Sequence, residues 1–323
     1  MKILITGVAG FIGFRLAERL LKDNHNIYGI DNLNNYYSKK LKVKRLQILK
    51  KYKFFKFKKL DLKNKNSLNY IKKFKNINVI YHFAAQAGVR FTLTNPQKYF
   101  DDNIKSFFNL IEVVKNNKNT KFFFASSSSV YGDQKKFPLS ENIQLNEKNI
   151  YGLSKKINEI MCENYSRTFG LKMIGLRFFT VFGEWGRPDM LIFKYIKSNL
   201  DKKNFYLNSD GQHFRDFTYI DDVLIILKKL LHTKIKNNYE VFNICSNKPI
   251  KVLDVIKKIN KWNSTFKFRS KNSKFLNKIE VFKTHGDNKK ILKLFKKFKY
   301  TSFDKALNNT IKWYLDKKIN KIT

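Results

Sequence analysis

From Lys2 to about residue 178 the sequence alternates short apolar runs with amphipathic stretches, and no other feature narrows the fold so far. KILIT (2–6), NIYGID (26–31), FFKFKKLD (54–61), VIYHFA (79–84), KFFFAS (121–126) and LKMIGLRF (171–178) read as strands. Helical periodicity falls near 12–22, 41–50, 65–75, 96–115 and 151–168, the fourth helix opening with Asn95 as cap and Pro96 at its first position. Strands and helices in strict alternation pair in parallel through right-handed crossovers, so the expected fold is α/β, a Rossmann-type doubly wound parallel sheet.

The rhythm breaks after residue 178. Pro188, a turn at NSDGQ (208–212), a helix at about 220–231, a strand at 240–244 and helices near 252–262 and 303–316 predict a smaller mixed α/β C-terminal lobe. The expected division is a nucleotide-binding domain over 1–178, with 215–245 returning to it, and a substrate lobe over 179–323.

ITGVAGFIG places Gly7, Gly10 and Gly13 between the first strand and the first helix. Glycine serves the tight turn there, the approach of a pyrophosphate to backbone N–H groups at the helix N-terminus, and helix-to-sheet contact. Asp31, ending the second strand, is placed to hold the adenosine ribose hydroxyls. It would repel a 2′-phosphate by up to about 4 kcal/mol at an effective dielectric of 20. Asn32 follows in place of a cation, so the expected cofactor is NAD. Asp61 and Leu62, at the end of the third strand, are placed to meet the adenine.

YGLSK puts Tyr151 and Lys155 one helical turn apart on one face. To act as a base near neutrality a tyrosine must lose about 4 kcal/mol of proton affinity, and a cation about 5 Å away offers about 3 of them. The expectation is that Lys155, with the positive nicotinamide ring, lowers Tyr151.

These motifs, with TGVAGFIGF, GIDNLNNYY, AAQAGVR, ASSSSVYG, LRFFTVFGEWGRPDM and RDFTYIDD, bring the chain to a known family. It resembles the extended short-chain dehydrogenase/reductase family, within it most nearly the UDP-glucuronate 4-epimerases, from Met1 to about Asp222. The resemblance implies Ser127 as the catalytic hydroxyl beside Tyr151 and Lys155, and cofactor contacts from Gly7, Gly10, Phe11, Ile12, Gly13, Asp31, Asn32, Asp61, Leu62, Ala84, Ala85, Tyr151 and Lys155. The resemblance also implies a redox-neutral mechanism in which Tyr151 takes the proton of the sugar 4-hydroxyl while hydride passes to NAD, the ketone turns, and the hydride returns to its other face. Ser129 stands where related dehydratases and uronate decarboxylases carry a glutamate, so the 4-keto intermediate is expected to stay intact.

A uronate carboxylate in a partly dry pocket needs partners. Arg187, Thr180, Ser128 and Arg90 are the candidates, while the resemblance implies that Ser127 meets the sugar 4-oxygen with Ser126 flanking it as a further substrate-binding residue. Glu184 replaces the family's usual proline and adds negative charge near that site. Arg215 matches the family's diphosphate-binding arginine, and Asp287 is expected on the uridine ribose, with Lys283 serving because Thr284 stands where related enzymes have arginine. His82 and His213 read as core and rim residues, and no cluster has metal-ligand spacing, so no metal is expected.

Among 323 residues, 66 Lys plus Arg against 25 Asp plus Glu give a net charge of +41. Only nine are Arg and the lysines are scattered, which fits a solvated surface better than a nucleic-acid footprint. No apolar run reaches the roughly 20 residues of a membrane span. Cys162 and Cys245 read as reduced core thiols. The expected protein is therefore cytoplasmic, without nucleic-acid or membrane partners, binding a UDP-sugar as a homodimer through helices 96–115 and 151–168, as is usual in the family resembled. Rival readings of the same residues are a UDP-glucose or UDP-N-acetylglucosamine 4-epimerase, a UDP-glucuronate decarboxylase, and a non-catalytic basic binding protein.

Overall fold

The structure is a computed structural model that describes residues 1–74, 76–271, 273–295, 297–316 and 322. Its strands are β1 (Lys2–Thr6), β2 (Asn26–Asp31), β3 (Phe55–Lys59), β4 (Val79–His82), β5 (Lys121–Ser127), β6 (Lys172–Phe178), β7 (Thr180–Phe182), β8 (Tyr206–Asn208), β9 (Phe214–Tyr219), β10 (Tyr239–Ile244), β11 (Pro249–Lys251) and β12 (Arg269–Lys271). Seven of them form one sheet in the order β10-β6-β5-β4-β1-β2-β3. Every pairing in that sheet is parallel, for example Ile5 opposite Gly29 and Tyr81, and Ser127 opposite Phe178.

Helices cover both faces, which is why the inner strands β1, β4 and β5 read as nearly continuous apolar runs, while the edge strand β3 alternates with lysine. Phe122, Phe123 and Phe124 are all buried. Phe122 and Phe124 pack with Phe107 and Cys162, whereas Phe123 faces the other core with Tyr81. The chain crosses to the lobe and comes back. After β9 the helix Ile220–His232 buries Val223, Leu224, Ile226, Leu227, Leu230 and Leu231, and β10 then joins the sheet beside β6. In the lobe β11, β9 and β7 form a three-stranded sheet, and β12 pairs with β8.

Two expectations change. The apolar run 79–84 leaves the sheet after His82, so Phe83 and Ala84 become wall of the cleft instead of strand. The helix expected over 96–115 is Pro96–Tyr99, a π-helical stretch Phe100–Lys105, and Ser106–Val114. Asn103, in the π stretch, receives the Gln86 N–H at 2.7 Å and donates to Gln86 O at 3.0 Å and Ser154 Oγ at 2.9 Å. These bonds tie the loop after β4 to the helix that carries Tyr151. Asn95 holds the cap position, but its side chain makes no capping bond. Among the described residues no helix is long and apolar enough to cross a membrane.

Candidate active site

One cleft opens over the C-terminal ends of β1, β2, β4 and β5, where a doubly wound sheet gathers its loops. Gly7, Gly10, Phe11, Ile12, Gly13, Asp31, Asn32, Asp61, Leu62, Ala84, Ala85, Ser126, Ser127, Tyr151, Lys155 and Arg187 all line it. Gly7 has φ +71°, and a Cβ there would lie 2.7 Å from Ala84 N, so only glycine keeps this wall open. The loop runs into the N-terminus of the helix Phe11–Lys22, where unpaired N–H groups suit a pyrophosphate.

Asp31 is buried and accepts from Ala9 N at 3.0 Å and Leu33 N at 2.8 Å. Burial raises its pKa, opposed by the Leu33 N–H and by Lys42. Lys42 reaches into the same cleft, with Nζ 2.8 Å from Asn34 O and 2.7 Å from Asn34 Oδ1, and desolvation lowers it to about 8. Arg45 is fully enclosed. It donates to Ala9 O and Tyr37 Oη, both at 2.8 Å, and to Trp185 O at 2.5 Å, stitching the glycine loop to the turn before Arg187. This wall therefore combines a helix N-terminus with a buried carboxylate, the two features a dinucleotide's pyrophosphate and ribose call for.

Tyr151 and Lys155 stand on the helix Ile150–Phe169, capped by Asn149, whose Oδ1 accepts from Gly152 N at 2.9 Å. Lys155 Nζ is 6.0 Å from the centre of the Tyr151 ring. The Ser127 hydroxyl adjoins the Tyr151 phenol and favours its ionised form. The expectation for their titration is overturned in part. Burial holds Tyr151 above its ordinary value, with Ser127 and Arg187 opposing, and desolvation brings Lys155 itself down to about 7. The interior charges so little for neutral groups that the protein alone does not stabilise the phenolate.

The four serines have separate fates. Ser127 Oγ faces Tyr151 and accepts from Ser129 N at 3.1 Å. Ser126 touches the cleft, but its hydroxyl turns inward to Glu159 Oε1 at 2.5 Å, contrary to the expected substrate contact. Glu159 is in turn held by Arg177 at 2.9 and 2.7 Å, and Arg177 donates to Tyr131 Oη at 2.9 Å. Adjacent residues of a strand point to opposite faces, which separates Ser126 from Ser127. Ser128 opens a 3-10 turn outside the cleft.

Other expected substrate groups also lie outside it. Arg90 pairs with Glu280 at 2.5 Å and lines a neighbouring groove with Phe91, Lys194, Phe205 and Leu207. Thr180 begins β7, paired with Phe217. Arg215 spends Nη1 on the carbonyls of Phe214 and Phe282 at 2.9 and 3.1 Å. Asp287 Oδ1 accepts from Lys289 N at 2.8 Å in a local turn. Lys283 Nζ lies over the Phe137 ring at 4.6 Å, and buried Thr284 accepts from Asp216 N. Glu184 does not crowd the anion site: Tyr219 donates to its two oxygens at 2.7 and 2.9 Å, and it is not part of the cleft wall. Arg187 gives Nε and Nη2 to Asp189 at 3.0 and 2.6 Å. Burial disfavours its charge, but Asp189 and Tyr36 more than compensate and hold it protonated. His82 is core, pushed to about 3 by burial; His213 is buried too, packed against Phe282 at 5.5 Å, and not at a rim. Among the described residues no group of three His, Cys, Asp or Glu side chains could hold a metal ion.

The cleft also includes residues that sequence reasoning did not single out, Asn34, Tyr36, Tyr37, Lys42 and Gln86. Their signal was available in DNLNNYY and AAQAGVR, where polar and aromatic residues follow strand ends.

The model of the NAD dependent epimerase/dehydratase family matches residues 3–245. An uncharacterized protein of Methanocaldococcus jannaschii is 40% identical over 322 residues, 98% of this chain and 97% of that one. The UDP-glucuronate 4-epimerase of Thermodesulfobacterium geofontis is 37% identical over 318 residues, 96% of this chain and 95% of that one. The crystal structure of UDP-glucuronic acid 4-epimerase from Bacillus cereus with UDP-glucuronic acid and NAD is 33% identical, covers 100% of both chains and superposes with a TM-score of 0.90.

Proposed function

The chain belongs to the NAD-dependent epimerase/dehydratase family, and from that premise we propose that it interconverts UDP-glucuronate and UDP-galacturonate through a transient 4-keto sugar. The observation that carries this is the meeting of Ser127, Tyr151, Lys155 and Arg187 in the wall of one cleft. A bound NAD supplies a reversible store for one hydride. Tyr151 holds the proton of the sugar 4-hydroxyl in one direction and returns it in the other. Lys155, its Nζ 6.0 Å from the phenol ring centre, supplements the positive nicotinamide of a bound NAD in favouring the phenolate, and Ser127 fixes the sugar oxygen beside the phenol. Arg187 is the cation for the uronate carboxylate, and holding that group opposes loss of carbon dioxide from the β-keto acid. Ser129 brings no carboxylate to the neighbouring carbon.

The neighbouring groove of Arg90, Lys194 and Phe205 shares Tyr36 with the cleft and suits the nucleotide end of the substrate. Residues 1–178 with 215–245 act as the dinucleotide domain and 179–323 as the sugar-nucleotide lobe, a division supported by the return of β10 to the sheet. The working unit is a homodimer. Phe100, Phe108, Ile150, Leu153 and Ile160 are 54, 44, 41, 41 and 56% exposed on the helical segments Phe100–Lys105, Ser106–Val114 and Ile150–Phe169, a large apolar surface for a lone molecule. Light scattering at the monomer mass contradicts the dimer. Buried free thiols at Cys162 and Cys245 fit a reducing cytoplasm.

Product analysis tests the reaction. The protein incubated with UDP-glucuronate yields UDP-galacturonate faster than it converts UDP-glucose. Faster turnover of UDP-glucose overturns the uronate assignment, and a UDP-pentose product makes it a decarboxylase.

A further inference from the structure

Three loops far apart in sequence converge on the guanidinium of Arg187. Its Nε and Nη2 are taken by the two oxygens of Asp189. The Tyr36 hydroxyl, from the loop after β2, donates to Asp189 Oδ2 at 3.3 Å, and the Tyr36 ring centre lies 5.6 Å from the guanidinium carbon. The third loop follows β4. Gly88 has φ +94°, and a Cβ there would sit 2.5 Å from the Tyr36 hydroxyl, so the phenol occupies space that only glycine leaves. Tyr99 fixes that glycine by donating to its carbonyl at 2.5 Å, and Phe91 meets the Tyr36 ring edge-on at 5.4 Å.

The unit stands where the cleft adjoins the neighbouring groove. Arg187 lines the first, Asp189 the second, and Tyr36 both. A guanidinium carries five N–H donors in one plane. With Nε and one Nη2 donor committed to Asp189, the Nη1 side is the free edge, and its direction is set by the carboxylate and the ring beneath it. An arginine released from these contacts would have to be ordered anew each time a ligand arrives, which weakens binding.

We infer that Asp189 and Tyr36 are positioning residues that lock the plane of Arg187 so that its free edge receives a sugar carboxylate. The Tyr36–Asp189–Arg187 unit, and not Arg187 alone, then separates uronates from neutral hexoses. Asp189 stays in place when the uronate binds, and the guanidinium bridges two carboxylates. The inference rests on the uronate reading above.

The test compares wild type, Asp189→Asn and Tyr36→Phe, each with its NAD content measured, on UDP-glucuronate and UDP-glucose. In Asp189→Asn the ratio of kcat/KM for UDP-glucuronate over UDP-glucose falls about tenfold or more, carried by KM, and Tyr36→Phe moves it the same way by about threefold. A loss shared equally by the two sugars, or an unchanged ratio, overturns the lock. Calorimetry without turnover reads the same quantity as the affinity difference between the two nucleotide sugars, and this difference shrinks about tenfold in Asp189→Asn. An affinity difference that persists in the variant, or is missing in wild type, overturns the lock. A wild type that favours UDP-glucose in turnover yet shows the affinity difference, lost on substitution, overturns only the substrate assignment.

Discussion

Lys155 lies one helical turn beyond Tyr151, its amino nitrogen 6.0 Å from the phenol ring centre, with the lysine buried and the tyrosine half-buried in the wall of the cleft. Tyr151→Phe removes the one hydroxyl in position to move the sugar proton. Turnover of the nucleotide sugar falls at least a hundredfold, about 3 kcal/mol of barrier, while NAD binding and thermal stability stay near wild type. A smaller drop in a correctly folded variant contradicts the role.

Burying Lys155 costs stability in a pH-dependent way. Its pKa falls from 10.5 to about 7, which corresponds to roughly 5 kcal/mol. Because the folded value is depressed, the unfolded chain binds the extra proton between about 7 and 10.5. The cost is therefore complete below 7 and fades as pH rises toward 10.5. In nucleotide-free protein Lys155→Met melts higher than wild type at pH 6, and the gap closes by pH 10. A gap independent of pH contradicts the buried, easily neutralised amine.

Glu159 and Arg177 are 4% exposed each and form a buried pair at 2.7 Å that also holds Ser126. Glu159→Gln leaves the guanidinium uncompensated and lowers the unfolding free energy by about 3 kcal/mol in urea titration. An unmoved midpoint means the pair is replaceable.

Asp31 accepts two backbone N–H groups and faces the cleft. Asp31→Asn weakens NAD binding about tenfold and narrows the preference for NAD over NADP by a similar factor, read by calorimetry with both dinucleotides. Equal affinities for the two in wild type contradict the assigned discrimination.

What the sequence exposed were features whose partners lie close along the chain. The glycine loop, Asp31 at a strand end, and Tyr151 with Lys155 each declare themselves within a few residues. Asp189 was equally near, two positions after Arg187, and an acid there is a plain signal of a fork-to-carboxylate pair. Arg90 was not legible, because Glu280, which binds it, comes 190 residues later. Nor was the fate of Ser126 beside Ser127, which depends on Glu159 reaching up from a helix. The π stretch around Asn103 is set by a loop after β4 and by Ser154, and no local propensity marks it.

The return of β10 to the edge of β6 has a consequence for how the molecule comes apart. A fragment ending at residue 178 would leave β6 with an open row of backbone donors and acceptors, the template on which chains aggregate. It would also strip the helix Ile220–His232 from the sheet, including the Leu227 carbonyl to which Tyr81 donates at 3.1 Å. A cut at residue 178 therefore parts strands of one sheet, and a single calorimetric transition is the expected outcome for the intact chain.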